Sequence, residues 1–345
     1  MQATLCECKA LSGSYPEELE SILNLDKSFR TKQIFKWIAN GARTFEDMTN
    51  LPKDFRTYLT KNYSVFSTSV NQTLKDPDGT VKLQIGLFDG SAVETVLLID
   101  AKLRKTACVS CQVGCPMNCQ FCQTGHIGYT RNLCANEIVE QFFHLEDAVG
   151  KLDNIVFMGM GEPMLNLEAI RKSIAILTHP EGRALSRRRI TISTSGLCEG
   201  IISLANDGPD VRLAVSLTTA NEALRTQLMP INASNPLKKL REAIKYFSDK
   251  TGNRVTLEAA LMSGVNTKVE HAREMADFAR DLNVHINLIP WNPVDTLPFS
   301  TPKNGEIAAF VKMLEGYHLN VTLRHRRGEK IGGACGQLGK INTFN

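Results

Sequence analysis

Cys108, Cys111, Cys115, Cys119 and Cys122 put five of the chain's ten cysteines inside fifteen residues, a density that asks for a chemical reason. Within the run, Cys115-x3-Cys119-x2-Cys122, with Phe121 just before the last cysteine, is a three-ligand spacing. Structural zinc takes four ligands, usually as two Cys/His pairs, and no second pair lies nearby. Three thiolates on a four-iron cubane would leave one iron open to a nitrogen and oxygen ligand. A zinc knuckle borrowing Cys108 or Cys111, or a set of buried free thiols, is the bland alternative.

Other residues are suited to meeting a ligand. Gly159-Met-Gly161-Glu162-Pro163 follows an apolar run; its glycines let backbone approach a bound molecule, and Glu162 can accept from an ammonium. Pro163 stands where a dinucleotide fingerprint would open a helix, so that reading is poor. Ser193, Ser216 and Asn292 follow later apolar runs and could hydrogen-bond a carboxylate or a ribose, although each alone reads as a turn or cap residue. Glu94 interrupts the apolar run 92–99, which by itself suggests an outward-facing strand position. Cys335 lies in Gly332-Gly-Ala-Cys335-Gly-Gln-Leu-Gly339, either a disordered tail or a mobile loop carrying a thiol.

The elements around these residues predict an α/β fold. Residues 14–75 read as short helices (17–23, 30–40 and 52–62), locally basic through Arg30, Lys32, Lys36, Arg43, Lys53, Arg56 and Lys61. Residues 80–87 and 92–99, with Asp89-Gly90 between them, read as a hairpin. Strands at 105–110, 153–158, 189–194, 211–217, 254–260, 285–290 and 319–324 alternate with helices at 134–149, 167–177, 236–249, 268–282 and 303–317. That alternation predicts a parallel sheet covered by helices and closed into a partial or full barrel, with the site at the C-terminal ends of the strands. The three-cysteine motif, Gly159–Pro163, Ser193, Ser216 and Asn292 fall there, whereas Glu94 and Cys335 stand apart.

A chain of 345 residues, 43% hydrophobic, can bury a large core, and its formal charge of +4 is too small to prove a polyanionic partner. The basic residues do clump, at Arg183, Arg187, Arg188 and Arg189 and at Arg324, Arg326, Arg327 and Lys330, as a nucleic-acid footprint or a solvated face. No apolar run approaches the roughly 18 residues of a membrane span, and no membrane partner is expected. Ten cysteines then argue for metal or thiol chemistry in a cytoplasmic chain.

Taken together, Lys32-Gln-Ile-Phe-Lys-Trp37, Val93-Glu-Thr-Val96, Cys108-Val-Ser110, the three-cysteine motif, Met158-Gly-Met-Gly-Glu-Pro163, Ser193-Thr-Ser-Gly196, Asn287-Leu-Ile-Pro-Trp-Asn-Pro293 and Ala334-Cys-Gly-Gln-Leu338 resemble, nearly end to end, one family. These are the radical S-adenosylmethionine (SAM) enzymes that methylate C2 of an adenine in 23S ribosomal RNA and in certain transfer RNAs. The resemblance implies a 4Fe-4S cluster on Cys115, Cys119 and Cys122, with SAM on the open iron and contacted by Gly161, Glu162, Ser193, Ser216, Leu217, Thr218 and Asn292. It implies that Cys335 carries a methyl group, that Glu94 accepts the C2 proton, and that Cys108 resolves the adduct through a transient disulfide with Cys335. It further implies an N-terminal helical accessory domain, 1–78, that binds RNA, and a radical SAM barrel, 79–345, with a C-terminal reactive-cysteine loop. An external electron donor such as flavodoxin or ferredoxin and a monomeric state are expected. Cys111 has no place in the family pattern and is expected to be a bystander; Thr218 stands where the family has histidine, and Lys330 adds charge before Cys335. A C8-methylating relative, another RNA target, and a non-catalytic iron–sulfur or zinc RNA-binding protein stay open as alternatives.

Overall fold

The computed structural model describes residues 10–25, 28–324 and 326–339. Its strands are β1 (Ser69–Lys75), β2 (Val81–Gly86), β3 (Ala92–Ile99), β4 (Lys105–Cys108), β5 (Gln112–Gly114), β6 (Tyr129–Asn132), β7 (Asn154–Phe157), β8 (Ile190–Thr194), β9 (Arg212–Ser216), β10 (Val255–Leu261), β11 (Val284–Pro290) and β12 (Val321–Leu323). Ten form one sheet in the order β1-β2-β3-β4-β7-β8-β9-β10-β11-β12, while β5 and β6 pair separately. From β4 to β12 every pairing is parallel, so seven strands make the open barrel that the alternating pattern predicts. The meander β1-β2-β3 adds three antiparallel strands to its first edge.

Strand composition explains this order. The parallel strands are short apolar runs such as Asn-Ile-Val-Phe in β7 and Arg-Leu-Ala-Val-Ser in β9, and Ile155, Phe157, Leu213, Ala214 and Val215 are buried, as strands covered on both faces require. The covering helices show the complementary stripe: in Leu237–Thr251, Leu237, Leu240, Ala243, Ile244 and Phe247 are buried, and Gly252 at φ 72° ends the helix. The predicted hairpin is present, its turn closed by Leu87 N–H donating to the Ser91 carbonyl at 2.9 Å.

Two readings change. Residues 69–75 lie in strand β1 rather than in a helical stretch; it is an edge strand with little apolar surface, and its pattern carried no period-two signal of burial. The segment around Cys335, expected as a disordered tail or a mobile loop, is not a free tail: it holds a 3-10 turn, Glu329–Ile331, and is tied down on both sides of the cysteine.

The segments before and after the helices Pro16–Leu23, Ser28–Ala39 and Lys53–Asn62 are tied to the barrel by a buried carboxylate. Glu140, in helix Ala135–Val149, accepts from the Ser12 hydroxyl at 2.5 Å, from the Thr68 N–H at 2.8 Å, from the Thr68 hydroxyl at 2.6 Å and from the Ser67 N–H at 3.0 Å. Replacing it leaves those donors without a partner in a dry interior. Glu140→Ala is expected to cost about 3 kcal/mol of stability, measured as a lower denaturant midpoint at unchanged slope; an unmoved midpoint would refute this account of the junction.

Candidate active site

The residues predicted for chemistry gather where the parallel strands end. Cys115, Cys119 and Cys122 follow β5, and all three thiols line one cavity of about 170 Å³ together with Gly161, Glu162, Ser193, Ser216, Thr218, Glu258, Asn292 and Cys335. Burial pushes the Cys115 thiol up to about 12 and drives Cys119 and Cys122 in the same direction, so thiolates at these positions need a cationic partner. Among the described residues no three Cys, His, Asp or Glu side chains are grouped to hold a single metal ion. A cubane, which takes one thiolate per iron, fits three thiols spread along one cavity wall, with the rest of that wall left for a ligand on its open iron.

The rest of the cavity offers what such a ligand would need. Gly161 adopts φ 104°, and a Cβ there would meet Gln112 Cβ at 2.6 Å, so only glycine lets the backbone pass. The Asn292 amide donates to the Cys335 carbonyl at 2.9 Å while its Oδ1 is buried without a hydrogen-bond partner, as is Ser195 Oγ. Buried polar atoms are rarely left so, and both residues line the cavity, with Ser195 beside the Glu162 carboxylate. Glu162 is engaged differently from the expected ammonium contact: its two oxygens accept from the Met164 N–H at 3.0 Å and the Ser195 N–H at 2.8 Å, joining the ends of β7 and β8. Leu217 does not line the cavity; its side chain is in the core, and its carbonyl is held by Arg225. Thr218 does line it, at φ 60°, its backbone pinned by the Glu258 carbonyl and the Asn266 amide.

A second cavity, of about 300 Å³, adjoins the first. Cys108 at the end of β4 and Cys335 both line it, and Cys335 lines the first cavity as well. Two thiols far apart in the chain thus meet at one wall. Burial and the neighbouring Cys335 push the Cys108 thiol up to about 12, with Arg324 the cation that works against the shift. Arg324 in turn is held more firmly protonated than usual, first by Cys335. Arg326 and Arg327 line the same cavity. Glu94 lines neither: it is buried on β3, paired with Lys82 at 2.7 Å.

The two basic clusters separate. Arg187, Arg188 and Arg189 precede β8 and are exposed at the opposite end of the barrel from the site, whereas Arg324, Arg326 and Arg327 stand at its mouth. Arg183 is spent on Glu146. In the N-terminal helices, Lys32, Arg43 and Arg56 are paired with Glu181, Asp147 and Glu46, which leaves a smaller basic surface than composition suggests.

Sequence reading passed over three residues. Arg225 is fully buried and donates to the carbonyls of Leu217 at 3.2 Å, Ser195 at 2.8 Å and Ser216 at 3.3 Å, and to Asn232 at 2.7 Å; burial pushes its pKa down to about 10. A lone arginine in a short helix carries no sequence signal. Glu258 does carry one, being an acid inside the apolar strand Val255–Leu261, and it lines the first cavity. Lys82 is the one charged residue in β2, Val-Lys-Leu-Gln-Ile-Gly.

Comparison with known proteins adds to this geometry. Residues 109–279 match the Radical SAM superfamily, and residues 19–65 match the Ribosomal RNA large subunit methyltransferase N-terminal domain. The chain is 60% identical over 330 residues to the probable dual-specificity RNA methyltransferase RlmN of Treponema denticola, covering 96% of this chain and 95% of that protein. It is 58% identical over 333 residues to the RlmN of Treponema pallidum, covering 96% and 98%. A crystal structure of a radical SAM methyltransferase from Sphaerobacter thermophilus superposes with a TM-score of 0.92 at 41% identity, covering 95% of this chain and 98% of that one.

Cys111 is buried, and its sulfur is absent from the cavity wall. Iron content after anaerobic reconstitution should therefore be unchanged in Cys111→Ala and lost in Cys119→Ala; equal loss in both would mean that Cys111 is a ligand. Asn292→Ala should weaken SAM binding about tenfold, the worth of one hydrogen bond to a buried acceptor, as read by equilibrium dialysis with intact iron content.

Proposed function

The chain belongs to the RlmN family of radical SAM methyltransferases, and from that membership we propose that it methylates an adenine ring carbon, C2, in 23S ribosomal RNA and in transfer RNA by way of a methyl group carried on Cys335. The observation that carries this reading is that Cys335 borders both cavities, one lined by the three cluster thiols and the other by Cys108. No other described cysteine does so.

Adenine C2 lies between two ring nitrogens and is electron-poor, so it cannot attack a sulfonium methyl as a nucleophile. A 4Fe-4S cluster on Cys115, Cys119 and Cys122, with SAM on its open iron, supplies when bound the low-potential electron for a radical route. The protein residues do the rest. Cys335, as thiolate, takes the methyl of one SAM, whose sulfur keeps the bond pair and leaves as S-adenosylhomocysteine; a hydrogen atom then passes from that methyl to the deoxyadenosyl fragment of a second SAM, which leaves as deoxyadenosine, and the methyl carbon is free to bond the ring. Glu94 accepts the ring proton after the new carbon–carbon bond has formed. Cys108, as thiolate, attacks the Cys335 sulfur; the sulfur–carbon pair passes to the methyl carbon, which takes a proton, and a disulfide remains. Gly161, Glu162, Ser193, Ser216, Thr218 and Asn292 form the SAM site in this reading, with Leu217 behind it in the core. The N-terminal segment 1–78 acts as an RNA-binding accessory domain and 79–345 as the catalytic domain, with Arg324, Arg326 and Arg327 meeting phosphate at the cavity mouth.

The same reading makes the protein a cytoplasmic monomer supplied with electrons by a flavodoxin or ferredoxin. Among the described residues no helix is long and apolar enough to cross a membrane.

Nucleoside mass spectrometry of ribosomal and transfer RNA from cells with and without the gene tests the target. Loss of 2-methyladenosine from both pools is expected; loss of 8-methyladenosine instead would overturn the C2 assignment. The two thiols separate on a denaturing gel: Cys108→Ala should trap RNA on the protein as a slow, nuclease-sensitive band, and Cys335→Ala should trap none. A band from the Cys335 variant alone would reverse the two roles.

A further inference from the structure

One buried ion pair holds the segment that carries Cys335 at both ends. Lys82 Nζ lies 2.7 Å from Glu94 Oε1, with side-chain exposures of 7% and 3%. Glu94 Oε2 accepts from the Gly339 N–H at 2.6 Å, and Lys82 donates to the Gly332 carbonyl at 3.3 Å. Gly332 and Gly339 bracket Cys335. Sheet register explains how the pair forms: Gln84 is opposite Glu94, and Lys82 is two residues along β2 on the same face.

A carboxylate removed from water is held as an anion only if a cation or several donors replace its hydration. Among the described residues, Lys82 is the only cation in ion-pair contact with Glu94. A base must also be ionised before it can take a proton. We propose that Lys82 is the positioning residue for proton removal: by pairing with Oε1 of Glu94 it fixes Oε2 toward the Cys335 segment, where the ring hydrogen arrives once the Gly339 N–H has moved off that oxygen. The inference rests on the reading of Glu94 as the base. At that step the carbon carried by Cys335 is already bonded to the ring, and a cluster held by Cys115, Cys119 and Cys122 would be the acceptor for the one electron the adduct must give up. The ring C–H bond then breaks, its proton goes to Glu94 Oε2, and its electron pair restores the aromatic ring.

A merely structural clamp and a positioning residue fail at different stages. The full-length, cluster-loaded protein is given SAM, reductant and RNA, and three quantities are read: methylation of Cys335 by mass spectrometry, RNA-linked protein on a denaturing gel, and methylated product. Lys82→Met should retain Cys335 methylation, lose about a hundredfold or more in turnover, as loss of a general base does, and accumulate RNA-linked protein as Glu94→Gln does. Lys82→Met with Cys335 methylation and turnover falling together and no RNA-linked protein, or with all three unchanged, overturns the proposal. If Lys82→Met does not fold, judged by melting and iron content, the pair Lys82→Met/Glu94→Gln buries no lone charge. It should match Glu94→Gln in Cys335 methylation and in RNA-linked protein, because both changes act on one step; an added loss of Cys335 methylation overturns the proposal. Glu94→Gln without RNA-linked protein refutes the base reading itself, whereas RNA-linked protein in Glu94→Gln but not in Lys82→Met refutes the Lys82 inference alone.

Discussion

Parallel strands end in backbone N–H and carbonyl groups that no neighbouring strand takes up, and in this protein those ends surround a buried cavity. Each such group left without a partner costs about 1–3 kcal/mol. Side chains from elsewhere meet the demand: Glu162 takes the N–H groups of Met164 and Ser195, Arg225 takes three carbonyls, and Asn266 takes those of Thr218 and Ala260. Gln112 accepts the Glu162 N–H, and Asn166 donates to the carbonyls of Cys111 and Leu133. This internal satisfaction makes the cavity rigid before any ligand enters. It also makes the two unpartnered atoms, Asn292 Oδ1 and Ser195 Oγ, informative.

Much of the architecture was legible because it depends on local pattern. Apolar runs alternating with amphipathic stretches identified the seven parallel strands, and the rule that sites lie at their C-terminal ends collected Cys115, Glu162, Ser193, Ser216 and Asn292 correctly. What was not legible depends on pairing across the chain. Glu94 read as an outward-facing strand residue because nothing local reveals that β3 is covered on both faces, or that Lys82 lies diagonally opposite. Arg225 and the docking of the Cys335 segment escaped for the same reason. The basic surface was overestimated because composition cannot distinguish a free lysine from Lys32, which is already paired with Glu181.

Charge inside the site is partitioned rather than pooled. Glu94 and Lys82 neutralise each other beneath the Cys335 segment, while Glu258 and Arg324 face the region between the two cavities from separate strands. The thiols therefore meet different cations: Arg324 opposes the rise that burial imposes on Cys108, and Arg225 opposes it at Cys119. The exposed arginines before β8, at the far end of the barrel, are too distant from the thiols to act on them beyond a Debye length of about 8 Å.

The anchors of the Cys335 segment belong to the chain's first hundred residues. Asp78 accepts the Gly328 N–H at 2.8 Å, Asp76 accepts the Lys330 N–H at 3.1 Å, and Lys82 and Glu94 hold Gly332 and Gly339. During synthesis these partners leave the ribosome long before the segment they hold, and all seven parallel strands precede it. A nascent or truncated chain would thus carry Cys115, Cys119 and Cys122 and the strand ends around them while still lacking Cys335 and the wall it contributes to the cavity. On the reading proposed for Cys335, translation order would serve as a safety catch: the thiol that commits the protein to modifying a base is delivered late, to a dock assembled in advance.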